Sequence, residues 1–217
     1  MTMEDPIQRH PTRAEQLDIM VSAIGDLART GDAVLDLGCG TGFFLHLLRA
    51  RRGDLAVTGV DLSAAALAAA QARFGPGYDW VVGDLSAPGG IALPRRNYRF
   101  VTAGLVFHDL SDAEKQALIG RIKTWLAADG VFLLYDRIRL SVPALFGLQQ
   151  AVWRRLQRMH QVGMRGAEDF ASYETDLGDR NRPARLEDYQ SWFAEAGMTM
   201  AVLHLHGNIA VMAAARG

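Results

Sequence analysis

The sequence predicts an α/β fold, a doubly wound and mostly parallel sheet with helices on both faces. Three observations carry the prediction. Apolar runs of strand length alternate with amphipathic segments along most of the chain. A glycine-rich turn (Gly38, Gly40, Gly42) joins the apolar run Val34, Leu35, Leu37 to an amphipathic stretch with Phe43, Phe44, Leu47 and Leu48. That is the strand–turn–helix unit that brings bare backbone up to a ligand. Near the end, two apolar runs, residues 199–205 and 209–214, flank Gly207-Asn208. This is a hairpin signal, and it adds one antiparallel strand to the parallel set.

Each element has a local cause. Residues 12–29 place Ala14, Leu17, Met20, Val21, Ile24 and Leu27 at helical spacing and stop near Gly31. Residues 34–37 form the first strand, and residues 55–60 the second, closing on Asp61. Ser63 is a natural N-cap for the alanine-rich helix over residues 64–74. A third strand, 78–82, runs into Gly83-Asp84-Leu85, and a fourth, 100–106, into Phe107-His108-Asp109-Leu110-Ser111-Asp112. Ser111 and Glu114 make a capping box ahead of Ala117, Leu118, Ile122 and Leu126. Residues 131–135 read as a short buried strand after Asp129-Gly130, and residues 186–196 as a helix closed by Gly197.

Length and composition fit one domain over residues 1–217, opening on a helical N-terminal segment at residues 1–30. Nearly half the residues are apolar and the formal charge is −1, so no basic excess points to nucleic acid. The arginine groups at Arg49, Arg51, Arg52 and at Arg154, Arg155, Arg158 read as solvated helix faces. A single cysteine, Cys39, excludes an internal disulfide and reads as a small packing residue in the glycine turn. The N-terminus lacks an apolar signal core and no run is long enough for a membrane span, so a cytoplasmic enzyme is expected.

The spacing of the glycine turn separates two chemistries. A dinucleotide fingerprint would put its third glycine at position 43, which is Phe43. Here the third glycine comes one residue early, and Asp36 lies two residues before the first. Asp-Leu-Gly-Cys-Gly-Thr-Gly, residues 36–42, resembles the cofactor loop of the class I S-adenosylmethionine-dependent methyltransferases. The stretch from Phe107 to Asp112 is similar to the Leu-His-His-Leu-Ser-Asp stretch of small-molecule methyltransferases, with Asp109 in place of the second histidine. The resemblance covers residues 30–137 well and 186–215 in outline. It implies a Rossmann-like, seven-stranded sheet of order 3-2-1-4-5-7-6 with the last strand antiparallel. It also implies S-adenosyl-L-methionine as cofactor and S-adenosyl-L-homocysteine as product. Cofactor contacts would come from Asp36, Gly38, Cys39, Gly40 and Gly42 in the loop, and from Ala103 on the fourth strand. Asp61, about 20 residues beyond the turn, would accept the ribose hydroxyls. Asp84 after Gly83 would accept from the adenine amino group, while Leu62 and Leu85 flank the ring.

Residues 138–185 exceed what the bare fold needs between its fifth strand and the next helix. Residues 142–162 read as helical, with Leu145, Leu148, Val152, Leu156 and Met159 at three- and four-residue steps, and residues 163–185 as polar and irregular. Ligands of open α/β sheets bind outside the carboxyl ends of the strands, so this insertion is placed to form a lid over the acceptor. Its alternative uses are a patch on the core, a homodimer interface or, more weakly, a membrane-surface helix. His108, at the end of the fourth strand, is the candidate catalytic base, since an ordinary imidazole titrates near neutral pH. Its alternative is a loop or pocket-shaping role. His10, His160, Tyr173 and Asp169 are further pocket candidates, whereas His46, His204 and His206 read as structural.

No Asn-Pro-Pro-Tyr-like tetrapeptide follows the fourth strand at Ala103-Gly104-Leu105-Val106, which disfavours amino methylation of bases or glutamine. Cys39 sits in the loop and not at a nucleophile position. No His/Cys cluster has metal-ligand spacing, and Asp136 lacks the Asp-Asn pair of a magnesium site, so no metal is expected. The expected activity is methyl transfer to a small-molecule acceptor at O, N or C by in-line displacement. The alternatives are a protein or RNA methyltransferase, or a non-catalytic cofactor-binding module.

Overall fold

The chain is described by a computed structural model over residues 12–161, 166–178 and 181–217. The elements run α1 (Arg13–Leu27), β1 (Ala33–Leu37), α2 (Phe43–Arg51), β2 (Ala56–Asp61), α3 (Ala64–Phe74), β3 (Tyr78–Val82), β4 (Tyr98–Gly104), α4 (Asp112–Trp125) and β5 (Leu126–Arg137). Then follow α5 (Phe146–His160), α6 (Phe170–Thr175), α7 (Leu186–Glu195), β6 (Met198–His206) and β7 (Ile209–Arg216). The seven strands lie in the order β3-β2-β1-β4-β5-β7-β6, as the resemblance implied. Strands β1 to β5 are parallel to one another, and β7 pairs antiparallel with both β5 and β6.

Two apolar cores sandwich the sheet. On one face α1, α2 and α3 bring Met20, Ile24, Leu45, Leu48, Leu67 and Phe74 against Val34, Val57 and Phe100. On the other, α4 and α7 bring Leu118, Ile119, Ile122, Tyr189 and Phe193 against Leu35, Leu37, Val101 and Phe132. Both faces being covered is why the central strands are continuous apolar runs without alternation. The caps form as the sequence predicts. Ser63 accepts from Ala66 N at 3.2 Å, and Ser111 and Glu114 complete the capping box.

Some boundaries differ from the sequence expectation. Strand β4 ends at Gly104 because Leu105 turns to φ +56° and donates its N–H to Tyr135 O. Strand β5 starts at Leu126, well before residue 131, through an irregularity opposite Tyr98 and Phe100. Gly130 permits it, since a Cβ there would meet Tyr98 O at 2.8 Å. Within the insertion, Phe170–Thr175, in the stretch expected to be irregular, form α6. Asp169 caps α6 by accepting from Ser172 N, and Phe146, Trp153, Phe170 and Tyr173 gather into an aromatic cluster. A parallel bridge from Ile138 to Ala184 ties its two ends together. Of the expected stripe on α5, only Leu156 is buried, while Leu145, Leu148, Val152 and Met159 are exposed. Among the described residues no helix is long and apolar enough to cross a membrane.

Candidate active site

The turn between β1 and α2 is pinned from beneath. Gly38 N and Cys39 N both donate to Val60 O, at 2.8 and 3.0 Å, and Gly40 N donates to the Asp61 carboxylate at 2.8 Å. Two of the glycines have separate reasons. Gly42, at φ +85°, is the N-cap of α2, and a Cβ there would lie 2.6 Å from the Phe74 ring. Its smallness lets helix and sheet pack closely. Gly40, at φ +52°, has nothing within 4 Å of its would-be Cβ. The absent side chain leaves open space above bare backbone at the start of α2, where the helix dipole also favours an anionic group. This is the cradle a nucleoside-type cofactor requires, and a Cβ would fill it.

Asp61 closes β2 and is a loop anchor as well as a candidate ligand, because its other oxygen accepts from Ser63 N at 2.8 Å. Leu62 beside it is 68% exposed, an uncovered apolar surface beside the loop. Asp84 accepts from both the N–H and the hydroxyl of Ser86 on one oxygen, and these bonds hold its carboxyl below the ordinary range. It is thus ionised and an acceptor. Leu85, in contrast, is buried in the α4-side core, and Gly83 packs against Val60 and Ile91.

A cavity of about 360 Å³ opens beside the turn, lined by Asp36, Gly38, Cys39, Gly40, Thr41, Phe43 and Phe44. Its other wall is Arg13, Leu17 and Met20 of α1, then Gly104, Leu105, His108, Tyr135 and Arg137. Cys39 is nearly buried, and burial followed by the neighbouring charges of Asp36 and Asp61 pushes its thiol up, so it stays protonated. Asp36 accepts from Thr102 Oγ1 at 2.7 Å. Burial outweighs that bond and pushes the carboxyl up to about 7, with the Asp61 charge adding to the effect.

That shift has a measurable consequence. The folded pKa lies above the unfolded value of 3.8, so this group's stabilising contribution is complete below pH 3.8 and is lost as pH rises through about 7. At about 1.4 kcal/mol per pK unit, the loss is on the order of a few kcal/mol. Asp36→Asn should therefore raise the stability of the ligand-free protein at pH 8, relative to the native chain, and leave the two alike near pH 4. Urea unfolding from pH 4 to pH 8 checks this, and parallel curves for the two proteins would contradict it.

His108 lies in a short 3₁₀ turn, Phe107–Asp109, just past the end of β4. Its Nδ1 stands 2.6 Å from the Asp136 carboxylate, which is fully buried at the end of β5 and also accepts from His108 N at 2.9 Å. A buried carboxylate at that distance orients the imidazole through Nδ1, while Nε2 lies 3.6 Å from the Asp109 carboxylate. The turn is gripped from the insertion side as well. Arg182 N donates to His108 O at 2.6 Å, and the Arg182 guanidinium to Asp109 O. The buried Lys115 ammonium donates to both Leu110 O and Arg182 O.

The structure thus joins Asp36, Gly38, Cys39, Gly40 and His108 in one cavity, with Asp61 directly behind it. Leu62 and Asp84 stand exposed on the same carboxyl-end surface, while Ala103 is fully buried and Gly104 and Leu105 line the cavity in its place. His160 is exposed at the end of α5, Tyr173 accepts from Leu140 N, and Asp169 serves its cap. His10 lies outside the described residues. Sequence reasoning missed Asp136 as the partner of His108, and it missed Tyr135, Arg137 and Arg13. The one available signal was the position of Asp136 at the carboxyl end of a central strand.

The methyltransferase-domain family matches residues 34–130, the stretch that runs from β1 into β5. No curated protein matches the chain. Among solved structures, the DhpI–SAH complex aligns with a TM-score of 0.66 at 17% identity, covering 97% of this chain and 87% of that one. A TehB-like SAM-dependent methyltransferase from Corynebacterium glutamicum aligns at 0.60 and 18% identity, covering 95% and 96%. YcgJ from Bacillus subtilis aligns at 0.60 and 19%, covering 88% and 71%. Over residues 34–130 the chain is similar to the methyltransferase-domain family, and it has the fold of the S-adenosylmethionine-dependent methyltransferases with which it aligns.

Proposed function

We propose that the protein methylates a small-molecule acceptor in the cavity between the glycine turn and His108. The observation that carries this is one shared cavity. The glycine turn and His108, whose Nδ1 is held by the buried Asp136, face the same space. The sulfonium of S-adenosylmethionine supplies an activated methyl group, so the protein's tasks are alignment, exclusion of water and removal of the acceptor's proton. Alignment alone can account for roughly 7–11 kcal/mol of barrier. Asp61 and the Gly40 backbone hold the nucleoside end, and the buried Asp36 carboxylate suits the cationic amino end. His108 Nε2 takes the proton of a hydroxyl or phenol as its oxygen attacks in line, or removes an ammonium proton beforehand to free the nitrogen lone pair for attack. Asp136 stabilises the imidazolium that forms, and solvent removes the proton after product release. Residues 138–185 act as the substrate cap. They leave β5 directly after Arg137, and their last residues, Asn181 and Arg182, bond to Arg137 and to the His108 turn.

The test uses S-adenosylmethionine labelled in its methyl group, incubated with the enzyme and a cell extract separated into metabolite, protein and RNA fractions. Label is expected in the metabolite fraction only. Label in protein or RNA would replace this reading with the macromolecular alternative, which near-zero net charge already disfavours for RNA.

A further inference from the structure

His204 and His206 end β6, the edge strand of the sheet. The side they face is decided by a bulge. The register of β6 against β7 slips by one residue between Val202 and His204. Directly opposed residues in neighbouring strands share a face. Val202, opposite Met212, therefore belongs to the α4 side. His204 lies opposite Val211 and thereby beside Tyr135, and His206 lies opposite Ile209 and thereby beside Arg137. Both imidazoles are thus turned to the face that α1 covers, where an unbulged strand would have sent them to the other.

Glu15, in the first turn of α1, meets them there. One ligating atom from each of Glu15, His204 and His206 lies within 4.8 Å of the other two. The carboxylate is 3.9 Å from His204 Nε2, beyond hydrogen-bond reach, and the two rings stand edge to face at 6.1 Å. Nε2 of His204 is buried without a hydrogen-bond partner among the described residues. A buried Nε2 without a hydrogen-bond partner among the described residues, beside a second imidazole and a carboxylate, offers donors of the kind a transition-metal cation takes.

We propose that Glu15, His204 and His206 form a binding site for a borderline divalent transition ion, of which zinc(II) is the type. Metal–ligand bonds of about 2.0–2.2 Å draw the donor atoms together, and the exposed Glu15 side chain can rotate its carboxylate toward an ion held between the two imidazoles. Burial, and then His204, hold the His206 imidazole below its ordinary pKa, which keeps it a neutral ligand. Arg155 and His160 act on His206 in the same sense, and the Glu15 charge opposes them. The consequence is structural: the ion ties the first turn of α1 to the sheet edge. Since α1 supplies Arg13, Leu17 and Met20 to the cavity, the ion steadies the acceptor-side wall.

The experiment uses the full chain without an affinity tag, stripped with chelator. Zinc chloride is titrated by calorimetry and cobalt chloride by visible absorption, with thermal unfolding followed in parallel. One equivalent of zinc is expected to bind and to raise the unfolding midpoint. His204→Ala and Glu15→Gln should each weaken that binding at least tenfold. Glu15 is exposed, so its variant keeps the fold even if the histidine variant does not. No saturable binding, or binding unchanged in Glu15→Gln and His206→Ala alike, would overturn the assignment.

Discussion

A Gly40→Val enzyme is expected to fold and to lose measurable affinity for S-adenosylhomocysteine. The space beyond the Gly40 Cα is open to 4 Å, so no neighbouring atom of the protein clashes with a side chain there. What resists it is the ligand, whose approach to the backbone a β-branched group blocks. The positive φ adds a strain of about 1–2 kcal/mol, which lowers the unfolding midpoint without removing cooperativity. Gly40→Ala has less bulk and, lacking a β-branch, less backbone strain, so its loss of affinity set against its loss of stability separates the two effects. It should lose far less affinity than the valine variant and less stability. Calorimetric titration beside a thermal scan makes the comparison. A valine variant that still binds within tenfold of the native enzyme would place the cofactor elsewhere.

The second large effect belongs to His108. Glutamine keeps the approximate shape and some hydrogen bonding but has no basic nitrogen. His108→Gln should keep S-adenosylhomocysteine affinity within a factor of a few, since in this scheme the imidazole serves the acceptor and not the nucleoside. The methylation rate should fall roughly 10²-fold or more, and the acid limb of the pH–rate profile should flatten. Asp136→Asn should move the rate in the same direction, because it removes the charge that stabilises the imidazolium and the bond that sets the tautomer. Asp136 touches neither methyl nor acceptor in this scheme, so a change in its pH profile distinguishes positioning from simple damage to the fold. Normal turnover with an unchanged acid limb in His108→Gln would leave alignment alone as the source of catalysis.

What was local in the chain was legible from the chain. The Gly38–Gly42 turn, the Ser63 cap and the Ser111/Glu114 capping box are each built from residues a few positions apart. Their physics, a missing Cβ or a side-chain oxygen facing a free N–H, needs no knowledge of the rest of the molecule. Asp61 was legible for a related reason, since a parallel strand beside the glycine turn must deliver its last residue to the same edge.

The remainder came from tertiary structure because it depends on which strands become neighbours and on which side each residue faces. Asp136 becomes the partner of His108 only because β4 and β5 lie side by side in register. Nothing in the spacing of the two residues announces a 2.6 Å contact. Ala103 and Leu85 fall into the core because strand alternation and the covering helix α4 decide their side, which a motif alone does not specify. Lys115 and Arg182, far apart in the chain, grip the His108 turn through backbone carbonyls that no side-chain motif records. At the sheet edge a one-residue bulge turns His204 and His206 toward Glu15. Side-chain facing has a period of two along a strand, so a single slipped residue reverses it, and only the paired strand shows where the slip occurs.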